Sequence, residues 1–108
     1  MTKSFESLAG INKFIHEPAR MAILTALSAC KSADFMFLKR LTGLTRGNLS
    51  THLTKLEEVG LVQIKKQFKG KKPNTIIRLS NDGQEAIEKH WRQLERLRQE
   101  TKEWKPDE

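Results

Sequence analysis

At Gly60 the apolar period of this 108-residue chain changes from helical, about 3.6 residues, to strand-like alternation. Before Gly60, apolar residues recur at intervals of three and four. After it, Val62, Ile64 and Phe68 mark a strand, Gly70-Lys71-Lys72-Pro73-Asn74 a turn, and Ile77 with Leu79 a returning strand. One short hairpin inside an otherwise helical chain leaves few folds open. At this length a single domain is expected, with little room for an elaborate active site.

Upstream of Gly60, Phe5, Leu8, Ile11, Phe14 and Ile15 share the spacing of a short amphipathic helix, with Gly10 as its soft spot. Pro18 suits the first turn of a second helix that buries Ile23, Leu24 and Leu27. Cys30, just beyond it, reads as a small core residue, with a redox switch as the alternative. Asp34 is an N-cap candidate for a helix from Phe35 to Leu41 with Phe37, Leu38 and Leu41 inward. Gly43 breaks that helix, Leu44 plugs the turn, and Thr45 caps the next helix, from Arg46 to Val59. Gly60 ends it in a left-handed conformation.

That third helix has two contrasting faces. Leu49, Leu53 and Leu56 form a narrow apolar stripe. Gly47, Asn48, Thr51, Thr54 and Lys55 lie opposite, and only Glu57 and Glu58 at the far end are acidic. A merely solvated helix would interleave Glu and Lys.

The net charge of +7 follows the same division. Residues 35–81 carry ten bases against two acids, net +8, whereas 1–34 are net +1 and 82–108 net −2. Within that middle segment the hairpin holds Lys65, Lys66, Lys69, Lys71 and Lys72 and no acid. It would repel itself without something negative beside it. Beyond the hairpin, Ser80 caps a long final helix on which Ile87, His90, Leu94, Leu97, Thr101 and Trp104 follow a heptad-like 3-4-3-4-3 spacing, with Trp91 flanking. Such a stripe packs partly on the domain and partly on a second copy, and these seven residues are the dimerisation candidates.

Helix, helix, turn, helix, basic hairpin is the order of a winged helix-turn-helix. The chain resembles the small winged-helix transcription regulators of the ArsR/MarR type, in particular a stand-alone dimeric subgroup. The resemblance spans roughly residues 16–90 and rests on four stretches. His16-Glu17-Pro18-Ala19-Arg20-Met21-Ala22-Ile23-Leu24 is similar to the family's opening helix. Leu41 to Leu53 is similar to its turn and recognition helix, Leu56-Glu57-Glu58-Val59-Gly60-Leu61-Val62 to its link into the wing, and Leu79-Ser80-Asn81-Asp82-Gly83 to the entry of the final helix. The expected fold is mainly α with a small β-hairpin (α+β). Its parts are an N-terminal helix or arm (1–17), a helix-turn-helix core (18–59), a wing (60–80), and a dimerisation helix with a short tail (81–108).

The resemblance implies a homodimeric, sequence-specific regulator that binds double-stranded DNA, with repression by promoter occupancy as the default. The residue chemistry agrees. Gly47, Ser50 and Thr51 are small enough for close backbone approach, and Thr45 with the helix N-terminus suits a phosphate. Asn48, Thr51 and Thr54 carry short polar groups that reach base edges, and Arg46 fits a guanine or a phosphate equally well. His52 borders the apolar stripe, where packing and DNA contact are both open. Lys55, Lys65, Lys66, Lys69, Lys71 and Lys72 suit phosphates, which give affinity without sequence information. An interaction module for protein or RNA is the alternative; it would carry apolar or acidic residues on the outer face of the third helix.

Other chemistries lack their residues. His16, His52 and His90 are scattered, no cysteine pair precedes the third helix, and no metal or cofactor is expected. Neither a carboxylate pair, a Ser/His/Asp set nor a glycine-rich phosphate loop is visible, so no enzyme is expected. No apolar run approaches the roughly 18 residues of a membrane span. The N-terminus lacks a secretory build, and the lone Cys30 suits a reducing cytoplasm. Whether a small-molecule effector binds is open.

Overall fold

The computed structural model describes residues 9–106 together with Phe5. Helix α1 (Pro18–Cys30) leads into strand β1 (Ser32–Asp34), followed by α2 (Phe35–Thr42) and α3 (Arg46–Glu58). Strands β2 (Val62–Lys69) and β3 (Lys72–Leu79) form the hairpin, and α4 (Asn81–Glu103) completes the chain. The sheet is antiparallel with order β1-β3-β2. The three helices before the hairpin pack their apolar faces together over the hairpin's base. Ile23, Leu24 and Leu27 meet Leu38, the α3 stripe of Leu49, Leu53 and Leu56, and Val62, Ile77 and Ile87 in one cluster.

Local chemistry explains where the helices start and stop. The Asp34 carboxylate accepts from Phe37 N at 2.8 Å, and the Thr45 hydroxyl accepts from Asn48 N at 3.1 Å. Each satisfies a backbone donor that the first turn leaves orphaned. Gly43 ends α2 with φ 73°. At the end of α3, Gly60 (φ 79°) donates its N–H to Glu57 O at 3.0 Å and Leu61 donates to Leu56 O at 2.9 Å. This is the Schellman arrangement that the glycine makes possible.

The base of the hairpin is closed by a compact clamp. Ser80 N donates to Leu61 O at 3.1 Å, Ser80 Oγ donates to Gly60 O at 2.6 Å, and the same hydroxyl accepts from Gly83 N at 2.9 Å. One serine thus ties the end of α3, the root of the hairpin and the first turn of α4. Gly83 is buried there because its missing side chain lets α4 rest directly on the Leu61 backbone.

Several expectations need correction. The N-terminal helix does not run to Ile15: residues 11–17 form turns and bends. The Asn12 carboxamide oxygen accepts from Phe14 N at 2.9 Å and Ile15 N at 3.2 Å. That local alternative competes with helical bonding, as Asn side chains do. Ile11 and Ile15 are still buried, Phe5 is exposed, and Leu8 lies outside the described residues. In α2 only Leu38 is buried, and Phe37 and Leu41 face outward. The hairpin loop is also tighter than expected. Lys69 pairs with Lys72, leaving Gly70-Lys71 as a two-residue loop with Gly70 (φ 66°) at its first position, while Pro73 and Asn74 belong to β3. Strand β1, three residues pairing Ser32, Ala33 and Asp34 with Arg78, Ile77 and Ile76, was not anticipated. Cys30 ends α1 rather than following it, and packs half-buried against the core.

Candidate nucleic-acid interface

Helix α3 buries its leucine stripe, half-buries His52 and presents its remaining residues. Thr45, Arg46, Gly47, Asn48, Ser50, Thr51, Thr54 and Lys55 are all exposed. No acidic residue occurs on α3 until Glu57 and Glu58, in its last turn. In the first turn the Thr45 hydroxyl is occupied in capping Asn48 N. Thr54 Oγ1 donates to Ser50 O at 3.0 Å, which holds Thr54 close to the helix surface. Arg46 leans back toward α2: its guanidinium lies 5.8 Å from the Phe35 ring centroid, and Nη2 approaches Met36 Sδ at 3.5 Å.

Beside α3 the hairpin projects with Lys65, Lys66, Lys69, Lys71 and Lys72 exposed. Strand alternation places Val62, Ile64, Lys66 and Phe68 on one face, opposite Leu79, Ile77, Thr75 and Pro73 across the pair. Val62 and Ile77 are buried against the helices. Further out, a groove of about 570 Å³ separates the hairpin from α3, lined by Ser50 and Thr54 on one side and Lys66, Pro73 and Thr75 on the other. Asn74 and Thr75 thus join the candidate surface although their residue types alone did not single them out.

His52 is not part of the outer face. It is half-buried, with Nδ1 3.2 Å from Arg20 Nη1 and 3.8 Å from Glu17 Oε2. Arg20 also donates through Nε to Phe14 O and lies 4.4 Å from the Phe14 ring centroid. Glu17 caps α1 by accepting from Arg20 N at 2.9 Å. Burial pushes the Glu17 carboxyl upward, but the Arg20 and Ala19 backbone N–H groups and the charges of His52 and Arg20 outweigh it, leaving the pKa below its ordinary 4.5. Glu17, Arg20 and His52 therefore form a polar junction tying the back of α3 to the N-terminal segment. The Glu17–Arg20 pair is local to the start of α1, but sequence spacing could not reveal that His52, 32 residues beyond Arg20, joins it.

The heptad stripe of α4 divides in two. Ile87 and His90 are 1% exposed and lie within the chain's own fold. His90 Nε2 sits 3.0 Å from His16 Nδ1, one of the pair carrying the proton, and His90 Nδ1 has no hydrogen-bond partner among the described residues. Burial, then the neighbouring His16, holds the His90 imidazole below its ordinary pKa of 6.5, in the neutral form. Leu94 and Leu97 are half-buried, while Thr101 and Trp104 are exposed. Trp91 is partly exposed and donates Nε1–H to Thr25 Oγ1 at 3.2 Å, beside an apolar hollow of Pro18, Met21 and Ala22. Among the described residues no three His, Cys, Asp or Glu side chains gather as metal ligands, and no helix is long and apolar enough to cross a membrane.

Residues 19–98 match the winged helix DNA-binding domain family. The chain belongs to that family. An uncharacterized protein of Methanocaldococcus jannaschii is 37% identical over 78 residues, 72% of this chain and 85% of its own. Among solved structures, a transcriptional regulator homologue from Pyrococcus horikoshii superposes with a TM-score of 0.81 at 28% identity, over 88% of this chain and 96% of the other. A MarR-family transcriptional regulator from Silicibacter pomeroyi shares the fold, with a TM-score of 0.64 at 20% identity over 86% and 64%. The winged-helix resemblance carried by the motifs is thus shown, and α2, α3 and the β2–β3 hairpin are its helix-turn-helix and wing.

Proposed function

We propose that this protein is a sequence-specific regulator that binds double-stranded DNA as a homodimer and represses by occupying its site, without enzymatic activity. The outer face of α3 carries the reading. It is exposed, small or polar through three turns, and free of acids until its last turn. A helix of this kind fits a major groove about 12 Å wide, N-terminus first. Asn48, Thr51 and Thr54 then face base edges, Gly47 and Ser50 allow close approach, and Thr45, Arg46 and Lys55 meet the adjoining backbone. The wing lysines Lys65, Lys66, Lys69, Lys71 and Lys72 add phosphate contacts. His52 supports α3 from behind. Its ring is engaged by Arg20.

Base reading by α3 is tested by comparing a selected duplex with a scrambled one. Thr51→Ala and Asn48→Ala should each weaken the selected duplex about tenfold and the scrambled one far less, the size expected for losing a base-edge contact. Equal losses on both duplexes would remove sequence reading from this helix.

The homodimer is supported by the outer half of α4. With Ile87 and His90 occupied inside the domain, the available seam narrows to Leu94, Leu97, Thr101 and Trp104, with Trp91 on its flank. Leu97→Glu should shift sedimentation toward the monomer, since two carboxylates would face each other in an apolar seam. An unchanged mass would place the dimer contact elsewhere or abolish it.

A further inference from the structure

Phe68 is 73% exposed, the most exposed large hydrophobic side chain among the described residues, and beyond marking strand β2 it has no part in the phosphate-binding role of the wing. It sits one residue before the end of β2 and pairs directly with Pro73. The alternation places it on the same face as Val62 and Ile64, the face turned toward α3, and Pro73 lines the groove between α3 and the hairpin. An apolar pair therefore stands at the outer rim of that groove. Around it the hairpin carries five lysines and, from Val62 to Leu79, no acid.

We propose that Phe68, backed by Pro73, is an apolar wedge for the DNA minor groove, packing against deoxyribose walls or a partly opened base step. This rests on the DNA-binding reading and extends it to a residue with no charge and no hydrogen-bonding group. The length of the strand is of the order required. Phe68 stands four residues beyond Ile64, about 14 Å along the strand. The next minor groove lies half a turn from the major groove occupied by α3, roughly 17 Å along the duplex. Apolar side chains that enter the minor groove wedge base steps apart and bend the duplex. The charge pattern selects the occupant. A second hairpin docked face to face would bring ten lysines together, whereas a polyanion with apolar sugar walls satisfies both the lysines and the ring.

The test uses the full chain and a 40-base-pair duplex recovered from a random pool by the wild-type protein. Phe68→Ala should lower affinity for this duplex about tenfold, the order expected for losing a buried aromatic contact, and Phe68→Leu should restore most of the loss. Because the contact carries no charge, the slope of log affinity against log salt should match the wild type. Retention on heparin, a polyanion without grooves, should also be unchanged. Hydroxyl-radical footprinting should show wild-type protection of minor-groove sugars half a turn from the α3 contact, and loss of that protection in Phe68→Ala. Duplex affinity of Phe68→Ala within twofold of wild type, or an unchanged footprint, overturns the wedge while leaving DNA binding intact. Loss of sedimentation with phosphatidylglycerol vesicles in place of loss of duplex affinity would overturn it in favour of a membrane contact. Failure of the wild type to bind any duplex would remove the DNA-binding reading itself, and the wedge with it.

Discussion

Gly83→Ala is expected to destabilise the protein by about 3 kcal/mol, the upper end for an overpacked site. Unfolding should shift down by roughly 15 °C at this chain length. A Cβ at this position would overlap the Leu61 carbonyl oxygen, lie 2.7 Å from Leu79 Cδ1 and 3.0 Å from the Leu61 carbonyl carbon. The side chain of Leu79 could give way, but the Leu61 backbone cannot. Its oxygen already accepts from Ser80 N, and its own N–H closes the end of α3. Relief therefore requires lifting α4 off the root of the wing. Gly47 gives the contrast: it also lies within a helix, but a Cβ there meets nothing within 4 Å. Gly47→Ala should raise stability by about 0.5–1 kcal/mol, by restricting the unfolded chain. Thermal and urea unfolding of the two variants beside the wild type checks both signs. A Gly83→Ala protein as stable as the wild type would mean that the close contact between α4 and Leu61 does not hold in solution.

The second large effect concerns salt. If a dimer engages roughly 6–10 phosphates, log affinity should fall against log salt with a slope of about −5 to −9. Between 50 and 200 mM salt that amounts to a loss of about 10³-fold or more. The basis is the confinement of charge: residues 35–81 are net +8, and the hairpin lysines are exposed and unopposed by acids. Lys71→Ala combined with Lys72→Ala should weaken selected and scrambled duplexes alike and flatten the slope, because these residues meet only phosphates in this reading. Titrations of a labelled duplex at four or five salt concentrations would measure it. A flat response would remove the electrostatic basis of the interface.

Much of the architecture could be read from single residues whose chemistry is local. Asp34, Thr45 and Ser80 cap helices because a short side-chain oxygen beside an orphan N–H needs no tertiary context. Gly60 ends α3 for a comparable reason. The leucine stripe of α3 followed from its period. Features decided by long-range packing were less accessible. Strand β1 is three residues long, too short to show alternation, and exists because β3 offers a free edge. Phe37 and Leu41 sit at helical spacing from core residues, yet a helix of eight residues that touches the core on one side buries only Leu38. In the interface, the exposed face of α3 and the lysines were readable from sequence alone. The Glu17–Arg20–His52 junction, the pairing of His16 with His90, and the groove bordered by Asn74 and Thr75 depend on which distant segments meet.

The clamp of Gly60, Ser80 and Gly83 also gives the wing the mechanics of a cantilever. Its root is bolted to α3 and α4 by short hydrogen bonds, and its first few residues are pinned by Val62 and Ile77 in the core. Beyond Ile64 roughly 16 Å of strand overhangs without support from the helices. Bending is then concentrated in the overhang, away from the buried residues Val62 and Ile77, and in the proposed docking the lysine-bearing tip could follow an irregular phosphate backbone while α3 stays seated. Changes at the tip should accordingly alter how tightly the protein grips DNA, and changes at the root should alter whether it folds.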